Sequence, residues 1–432
     1  MEIRDPVHGL INIYDEEIPL IKSEFFGRLR NVKQLGFSEN IFPGATHTRF
    51  LHSLGAMHVG TRAFDKLFPH QGKAQKRIRE TFRLACLLHD IGHPPLSHST
   101  EIVMPKLKEL EIPKEFLKKD ENPNRKATHE DYTIKALADS SFSKTFKEVE
   151  RNFKVDRKTI ADLITGIQRN KFYFNIDGVD YFPLLHQLVT GEIDCDRMDY
   201  LLRDSYFCGV SYGNFDLDWL LNNLRVCISN NSAFLGISER GLLTFEDFLL
   251  SRYHMFIMVY FHYRAVCLEQ LLYKYFKTSN NEYSIPSDIE KYIEHDDHFL
   301  MKTLRKSDNP YAKAIIKNEI PPKIYESFNE GQHKQLKIIE KWLLDKKVDY
   351  IKGSSESKLS KYFVGGASFQ STPLKVVRTL PGSEKSIYFD ISKATDLFEK
   401  FKKANSIMRL HCNVGDLKIK DQIELQKLIL EE

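Results

Sequence analysis

Residues 85–98, ACLLHDIGHPPLSH, put Asp90 and three histidines into a stretch that otherwise reads as buried helix. Upstream, Ile78, Phe82, Ala85 and Leu88 recur at helical spacing and predict an apolar stripe. The helix is predicted to end at Gly92, and Pro94 and Pro95 prevent it from continuing. One buried imidazole is tolerable if it finds a partner. Several beside a carboxylate are costly unless a cation or a dense hydrogen-bond network compensates. The chain must therefore pack helices around this stretch and bring it compensating groups from elsewhere.

Other segments supply those helices. Spacing and breakers predict helices over 16–35 (stopping at Gly36), 47–68, 156–168, 191–206, 216–225 and 243–277, and a helix start at THED, residues 128–131. Short strands are expected at the start, around HGLINIY, and VCISNN with AFLGIS reads as a hairpin. The polar segment TSNNEYSIPS, residues 278–287, suggests a boundary. Beyond it, YFVGGASFQSTPLKVVRTLPGSEKSIYFDIS reads as strands with Gly and Pro turns. The expected architecture is mainly α: a helical core with short β-hairpins over 1–277 and a smaller α+β lobe over 278–432.

Composition narrows the class. At 42% apolar and 28% charged residues the chain is globular, and a net charge of +4 does not argue for nucleic acid. The six cysteines form no CxxC pair, which predicts reduced thiols and a cytoplasmic protein. The N-terminus is charged from its second residue, so no secretory leader is expected. The longest apolar run, FIMVYF, is far too short to span a bilayer.

Successive helical residues project about 100° apart. His89 and Asp90 can share one ion only if it sits in the angle between them. His52 on the preceding helix, and Asp194, Asp196, Asp199 and Asp204 in EIDCDRMDYLLRD, are available as further ligands. A two-His, two-Asp set leaves positions open for water and substrate, and suits Fe, Mn, Zn, Co or Mg. Imidazoles that titrate near working pH can move the proton a leaving oxygen needs, and His93, His98 and His129 are candidates. Glu101, three residues after His98, is placed to orient one of them. Arg49 lies one helical turn before His52, and Tyr200 and Asp204 share a helix face.

DPVHG, RLRNVKQLG, FPGATHTRFLHSLG, LLHDIGHPPLSH, THE and EIDCDRMDYLLRD, in this order over about residues 4 to 270, resemble the HD-domain deoxynucleoside triphosphate triphosphohydrolases. That branch of the HD phosphohydrolases includes the vertebrate enzyme with a sterile-alpha-motif domain and its bacterial relatives. The resemblance implies an HD-domain helical core and a divalent metal ion on His52, His89, Asp90 and Asp196, with room for an additional Mg²⁺ on the triphosphate. Asp194 and Asp199 fall outside the ligand set and take supporting roles. It implies attack at the α-phosphorus, releasing a deoxynucleoside and inorganic triphosphate. His98 would protonate the 5′ oxygen, with His93, His129 and Glu101 around it. Arg49, Arg197 and Arg252 would hold phosphates, Gln34 and Asp204 the 3′ hydroxyl, and Tyr200 the 2′ face of the sugar. Tyr260 and His262 would lie near sugar and base. His47, His58, His70 and His254 are read as structural.

The same resemblance implies a dNTP substrate, a homo-oligomer and a nucleotide effector at a subunit interface. In the vertebrate relative the effector's guanine is read by an Asp and an Arg before KQLG. Here Arg30 keeps the Arg, but Lys22 stands at the Asp position and has no acceptor, so guanine recognition of that kind is not expected. Two other readings are an HD phosphohydrolase acting on a different nucleotide and a nucleic-acid-binding or regulatory protein whose HD site is only structural.

Overall fold

Histidine and aspartate can sit inside this protein because helices close around them. The structure, a computed structural model, describes residues 1–328, 330–357, 374–379, 386–397 and 405–430. It is mainly α. The principal helices are α1 (Arg49–Leu67), α2 (Lys73–Leu88), α3 (His129–Ala138), α4 (Cys195–Cys208), α5 (Leu242–Met255) and α6 (Tyr263–Thr278), with α7 (Glu330–Asp345) and α8 (Ile419–Leu430) toward the end. Helix α1 packs against both α2 and α4. Gly55 on α1 makes the second approach possible: a Cβ there would overlap Asp199 Oδ1 on α4.

Strands β1 (Glu2–Asp5) and β2 (Gly9–Asn12) form an antiparallel pair where short strands are expected, with β1 lying upstream of HGLINIY. Strands β3 (Asn175–Ile176), β4 (Val179–Asp180), β5 (Leu224–Ser229) and β6 (Ser232–Ser238) belong to one sheet. The expected hairpin is β5–β6, paired from Leu224↔Ile237 to Ser229↔Ser232. Its turn residues Asn230 and Asn231 both take positive φ, as a type I′ turn requires. Strands β7 (Lys323–Ser327), β8 (Ile351–Ser357) and β11 (Asn405–His411) make a separate sheet in the order β7–β11–β8. Strands β9 (Lys375–Thr379) and β10 (Ser386–Asp390) extend the β6 edge, β9 running parallel to β6. They account for part of the strand-rich stretch expected at 362–392; its other residues lie largely outside the described ones.

One apolar core runs from Ile11 to Ile391 and includes Ile289, Leu300 and Ile315. A second gathers Tyr325, Leu336, Ile339, Leu343, Leu410, Cys412 and Leu425. Among the described residues, no helix is long and apolar enough to cross a membrane.

Two predicted helices are broken. Residues 16–35 do not form one rod. A short helix over Ile18–Lys22, with Pro19 in its first turn, stops at Ser23, whose backbone is extended (ψ 151°) and whose Oγ caps Glu24–Gly27. Residues 243–277 also divide. Helix α5 ends at Met255, a π-helical turn covers Phe256–Tyr260, and His262 is extended (ψ 129°) before α6. A π-turn shifts side-chain phase, and here it presents Tyr260 to Asp204. Helix α2 ends at Leu88, not Gly92, so His89 to Gly92 form a turn.

Candidate metal centre and cleft

The turn after α2 is held by backbone contacts that leave its side chains free for other work. Arg28 Nη2 donates to Ile91 O at 3.0 Å and to His93 O at 2.6 Å, and Tyr292 Oη donates to Gly92 O at 2.8 Å. Gly92 N donates to Thr133 Oγ1 on α3 at 3.0 Å. A Cβ at Gly92 would overlap His129 O, so only glycine allows the turn to lie this close to α3. Asp297 ties two further loops together, accepting from Leu96 N at 2.8 Å and Lys33 N at 2.9 Å.

His52 of α1, His89 and Asp90 of the turn and Asp196 of α4 converge, with one ligand atom from each lying within 4.8 Å of every other. His52 Nε2 is 2.9 Å from Asp196 Oδ1 and 3.7 Å from Asp90 Oδ2; His89 Nε2 is 3.5 Å from Asp90 Oδ1 and 3.7 Å from Asp196 Oδ1. The opposite nitrogens are already committed. His89 Nδ1 donates to Cys86 O at 2.8 Å, and His52 Nδ1 donates to Asp199 Oδ2 at 2.7 Å. Each ring therefore turns a bare Nε2 inward, and neither Nε2 has an aligned hydrogen-bond partner. Two orphaned, buried imidazole nitrogens facing two carboxylates fit a divalent ion.

The electrostatics agree. Burial opposes charge on His52, but Asp196 and Asp199 outweigh it and raise the imidazole to about 9. Burial likewise opposes charge on His89, but Asp90 and Asp196 raise it to about 10. Burial pushes Asp90 upward, yet His89, His93 and Arg49 hold it well below the usual carboxylate range. Asp196 is held down against burial by His52 and His89. The pocket strongly favours positive charge.

Behind His52 runs a second layer built on Asp199, one of the two acids expected in supporting roles. Asp199 Oδ1 accepts from His8 Nε2 at 2.6 Å, and Arg203 donates to both Asp199 oxygens at 2.9 Å. Arg203 Nη1 also reaches Asp5 Oδ2 at 2.7 Å. The N-terminal DPVHG motif thus braces His52 through Asp199. Asp199→Asn keeps the shape but removes the charge that fixes the His52 tautomer. Metal affinity is expected to fall roughly 10- to 100-fold, read by competitive titration with a chromogenic chelator. Unchanged affinity would show that Asp199 serves packing alone.

Beside the cluster lies a cleft of about 680 Å³. Of the predicted site residues, Gln34, Arg49, Asp90, His93, His98, His129, Asp196, Tyr200, Asp204 and Tyr260 line it. His93 and His129 stack at 3.9 Å, and His98 meets both edge-on at 5.1 and 5.2 Å. Glu101 Oε1 is 2.5 Å from His129 Nδ1 and 3.3 Å from His98 Nδ1. Burial, then Arg49 and His129, push His93 well below the ordinary imidazole range, so it is neutral. Arg49 pairs with Asp90 and donates to Ser97 Oγ at 2.9 and 3.1 Å. Asp204 accepts from Tyr260 Oη at 2.7 Å and from His47 Nε2 at 2.7 Å. His47, read from sequence as structural, therefore stands directly behind a cleft carboxylate; its partner is too distant in sequence to leave a local signal.

Of the predicted substrate contacts, three are not among the residues lining the cleft. Arg197 is tied to Gly191 O and to Asp194 Oδ2, 2.9 Å away, where Asp194 is the N-cap of α4. Arg252 lies 3.3 Å from Glu192 Oε1. His262 caps α6. Elsewhere, Lys22 and Arg30 are exposed, Arg30 lying over the Phe50 ring at 3.5 Å.

A helical core that presents two histidines and two aspartates from three elements to an open cleft is the frame of an HD-type phosphohydrolase. Residues 49–201 match the HD domain family, and residues 215–325 match the HD associated region. The chain belongs to the HD phosphohydrolase superfamily. It is 29% identical over 341 residues to an uncharacterized protein of Methanocaldococcus jannaschii, covering 79% of this chain and 62% of that one. It is 27% identical over 338 residues to the Dictyostelium discoideum homologue of the deoxynucleoside triphosphate triphosphohydrolase SAMHD1, covering 76% and 60%. The chain thus spans less than two thirds of the length of these two relatives. The crystal structure of a hypothetical protein from Aquifex aeolicus superposes with a TM-score of 0.72 at 27% identity, covering 99% of both chains.

Proposed function

We propose that this protein is a metal-dependent dNTP triphosphohydrolase, cleaving at the α-phosphorus to give a deoxynucleoside and inorganic triphosphate. The observation that carries the reading is one cleft that brings two kinds of chemistry together. Its lining includes Asp90 and Asp196 of the His₂Asp₂ cluster, Arg49 and the histidine group, and also Gln34, Tyr200, Asp204 and Tyr260. Asp204 retains free lone pairs after its bonds to His47 and Tyr260 and accepts a 3′ hydroxyl. Gln34 Oε1 is buried without a partner and offers a second acceptor. The Tyr200 ring, edge-on to Tyr260 at 6.3 Å, lies against the 2′ face, where an added hydroxyl collides. Arg49 meets the α-phosphate. His52, His89, Asp90 and Asp196 would hold a divalent ion, which when bound would acidify a water and relieve charge on the phosphoryl oxygens. Two relatives named as deoxynucleoside triphosphate triphosphohydrolases support the same chemistry.

Hydrolysis of a dNTP in ¹⁸O water is expected to put the label in triphosphate, with no nucleoside diphosphate appearing on the way. Label in the nucleoside, or stepwise release of orthophosphate, excludes attack at the α-phosphorus. One observation favours a second reading. Arg197 and Arg252 are engaged by Asp194 and Glu192, which suits a substrate with fewer phosphates. Supplying dNMP, dNDP and dNTP in parallel separates the two.

A further inference from the structure

Helix α6 has two faces. Cys267, Leu268, Leu271, Leu272 and Tyr275 are buried in the main core. Glu269, Gln270 and Tyr273, at helical spacing i, i+1 and i+4, line the 680 Å³ cleft instead. Helix α6 packs against the turns at Gly36–Asn40 and Ser97–Val103, so this polar face closes the cleft together with Gly36 and Ile102. Nothing in the metal, phosphate or sugar chemistry uses it.

Glu269 is the odd group there. It is half-buried and has neither a hydrogen-bond nor an ion-pair partner among the described residues. Burial alone pushes its carboxyl up to about 7; no neighbouring charge contributes. A partly desolvated carboxyl with no donor is a cost the fold carries without return. In a ligand cleft, such a group is where a ligand donor belongs.

We propose that Glu269 reads the nucleobase, its two carboxylate oxygens accepting the adjacent N1–H and N2–H donors of guanine; this rests on the nucleotide reading above. A carboxylate is acceptor-only. Among the four bases only guanine presents two neighbouring donors on its pairing edge. Adenine and cytosine set one donor beside a bare ring nitrogen, and thymine sets one donor between two carbonyls. Each of those points a lone pair at a carboxylate oxygen. Gln270, next to Glu269, carries an amide that donates to a carbonyl such as guanine O6. Tyr273 and Ile102 add apolar surface for the ring. Two N–H donors also keep Glu269 ionised once the base is in place.

The test uses wild type, Glu269→Gln and Glu269→Asp. Calorimetry measures binding of deoxyguanosine and deoxyadenosine to the metal-replete protein, and kcat/KM is measured for the four dNTPs. Wild type is expected to favour deoxyguanosine by roughly tenfold or more, and Glu269→Gln to remove that preference, because its amide N–H faces the guanine donors. Glu269→Asp, one methylene shorter, is expected to reduce the preference and serves if the Gln variant does not fold. The same guanine-to-adenine ratio in wild type and the variants would overturn the proposal. The two readings fail separately. A Glu269-dependent ratio in deoxynucleoside binding with no dNTP hydrolysis removes the triphosphohydrolase. Hydrolysis with no Glu269-dependent ratio removes the base reader.

Discussion

Asp90→Asn is expected to yield a folded protein without bound metal and with dNTP hydrolysis reduced on the order of a thousandfold or more. The substitution keeps the size of the side chain and one oxygen. It removes the charge that faces His89 Nε2 at 3.5 Å and His52 Nε2 at 3.7 Å. With that charge gone, Asp196 alone faces both bare imidazole nitrogens, and the ion loses a carboxylate ligand. Arg49 also loses its ionic partner. A buried guanidinium with an incomplete partner costs about 1–3 kcal/mol, so a modest fall in Tm is expected alongside the loss of metal. Elemental analysis of the purified variant, with circular dichroism to establish folding, separates the two effects. Full metal occupancy in folded Asp90→Asn sinks the ligand assignment. Metal loss together with global unfolding is resolved by Asp196→Asn, whose side chain is 34% exposed and carries less of the packing.

How much of the site is legible in the sequence depends on distance along the chain. His89 and Asp90 are neighbours, and Asp196 sits in an acid-rich segment, from which the family resemblance and not the spacing singles it out. Such short-range oddities point to chemistry by themselves, and these residues do converge with His52. The mainly helical class is equally open to reading, because the apolar spacing in α1 and α2 is repeated over several turns. What escapes is set by tertiary contact. His8 meets Asp199 across 191 positions and His47 meets Asp204 across 157, and neither histidine has a neighbour that betrays its partner. Glu269 looks in sequence like any solvated helix residue; only the cleft makes it conspicuous. The break at His262 is hidden for a related reason. FIMVYFHYR has a continuous apolar character that suits an unbroken helix, and propensity yields to the contact between Tyr260 and Asp204. Arg197 and Arg252 show the converse limit. The family resemblance implies phosphate contacts for both, but carboxylates at 194 and 192 lie against them here.

Replacing the proton donor should be nearly as damaging as removing the ion, and should differ from it in one diagnostic way. Of the three clustered histidines, His93 is buried beside Arg49 and neutral, which makes it a poor acid. The Nδ1 of His129 is held by Glu101 at 2.5 Å, and its ring stacks on His93. His98 is the most open of the three, with a side chain 67% exposed, and Glu101 at 3.3 Å from its Nδ1 supports the protonated ring. On the proposed reading His98 would present Nε2–H to the leaving 5′ oxygen, with Glu101, beside both His98 and His129, supporting it. His98→Asn is expected to lower kcat for dNTPs by roughly 10²- to 10⁴-fold while metal content stays at the wild-type level. An alkoxide needs that proton in order to leave, whereas a nitrophenolate departs without one. On a nitrophenyl ester of a deoxynucleoside 5′-phosphate, where the aryl oxide is the leaving group, the same variant is expected to lose far less. Asp90→Asn should lose activity on both substrates alike, because it removes the ion and not the acid. Equal losses for His98→Asn on the two substrates would show that His98 binds or orients the substrate, and would move the acid to His129.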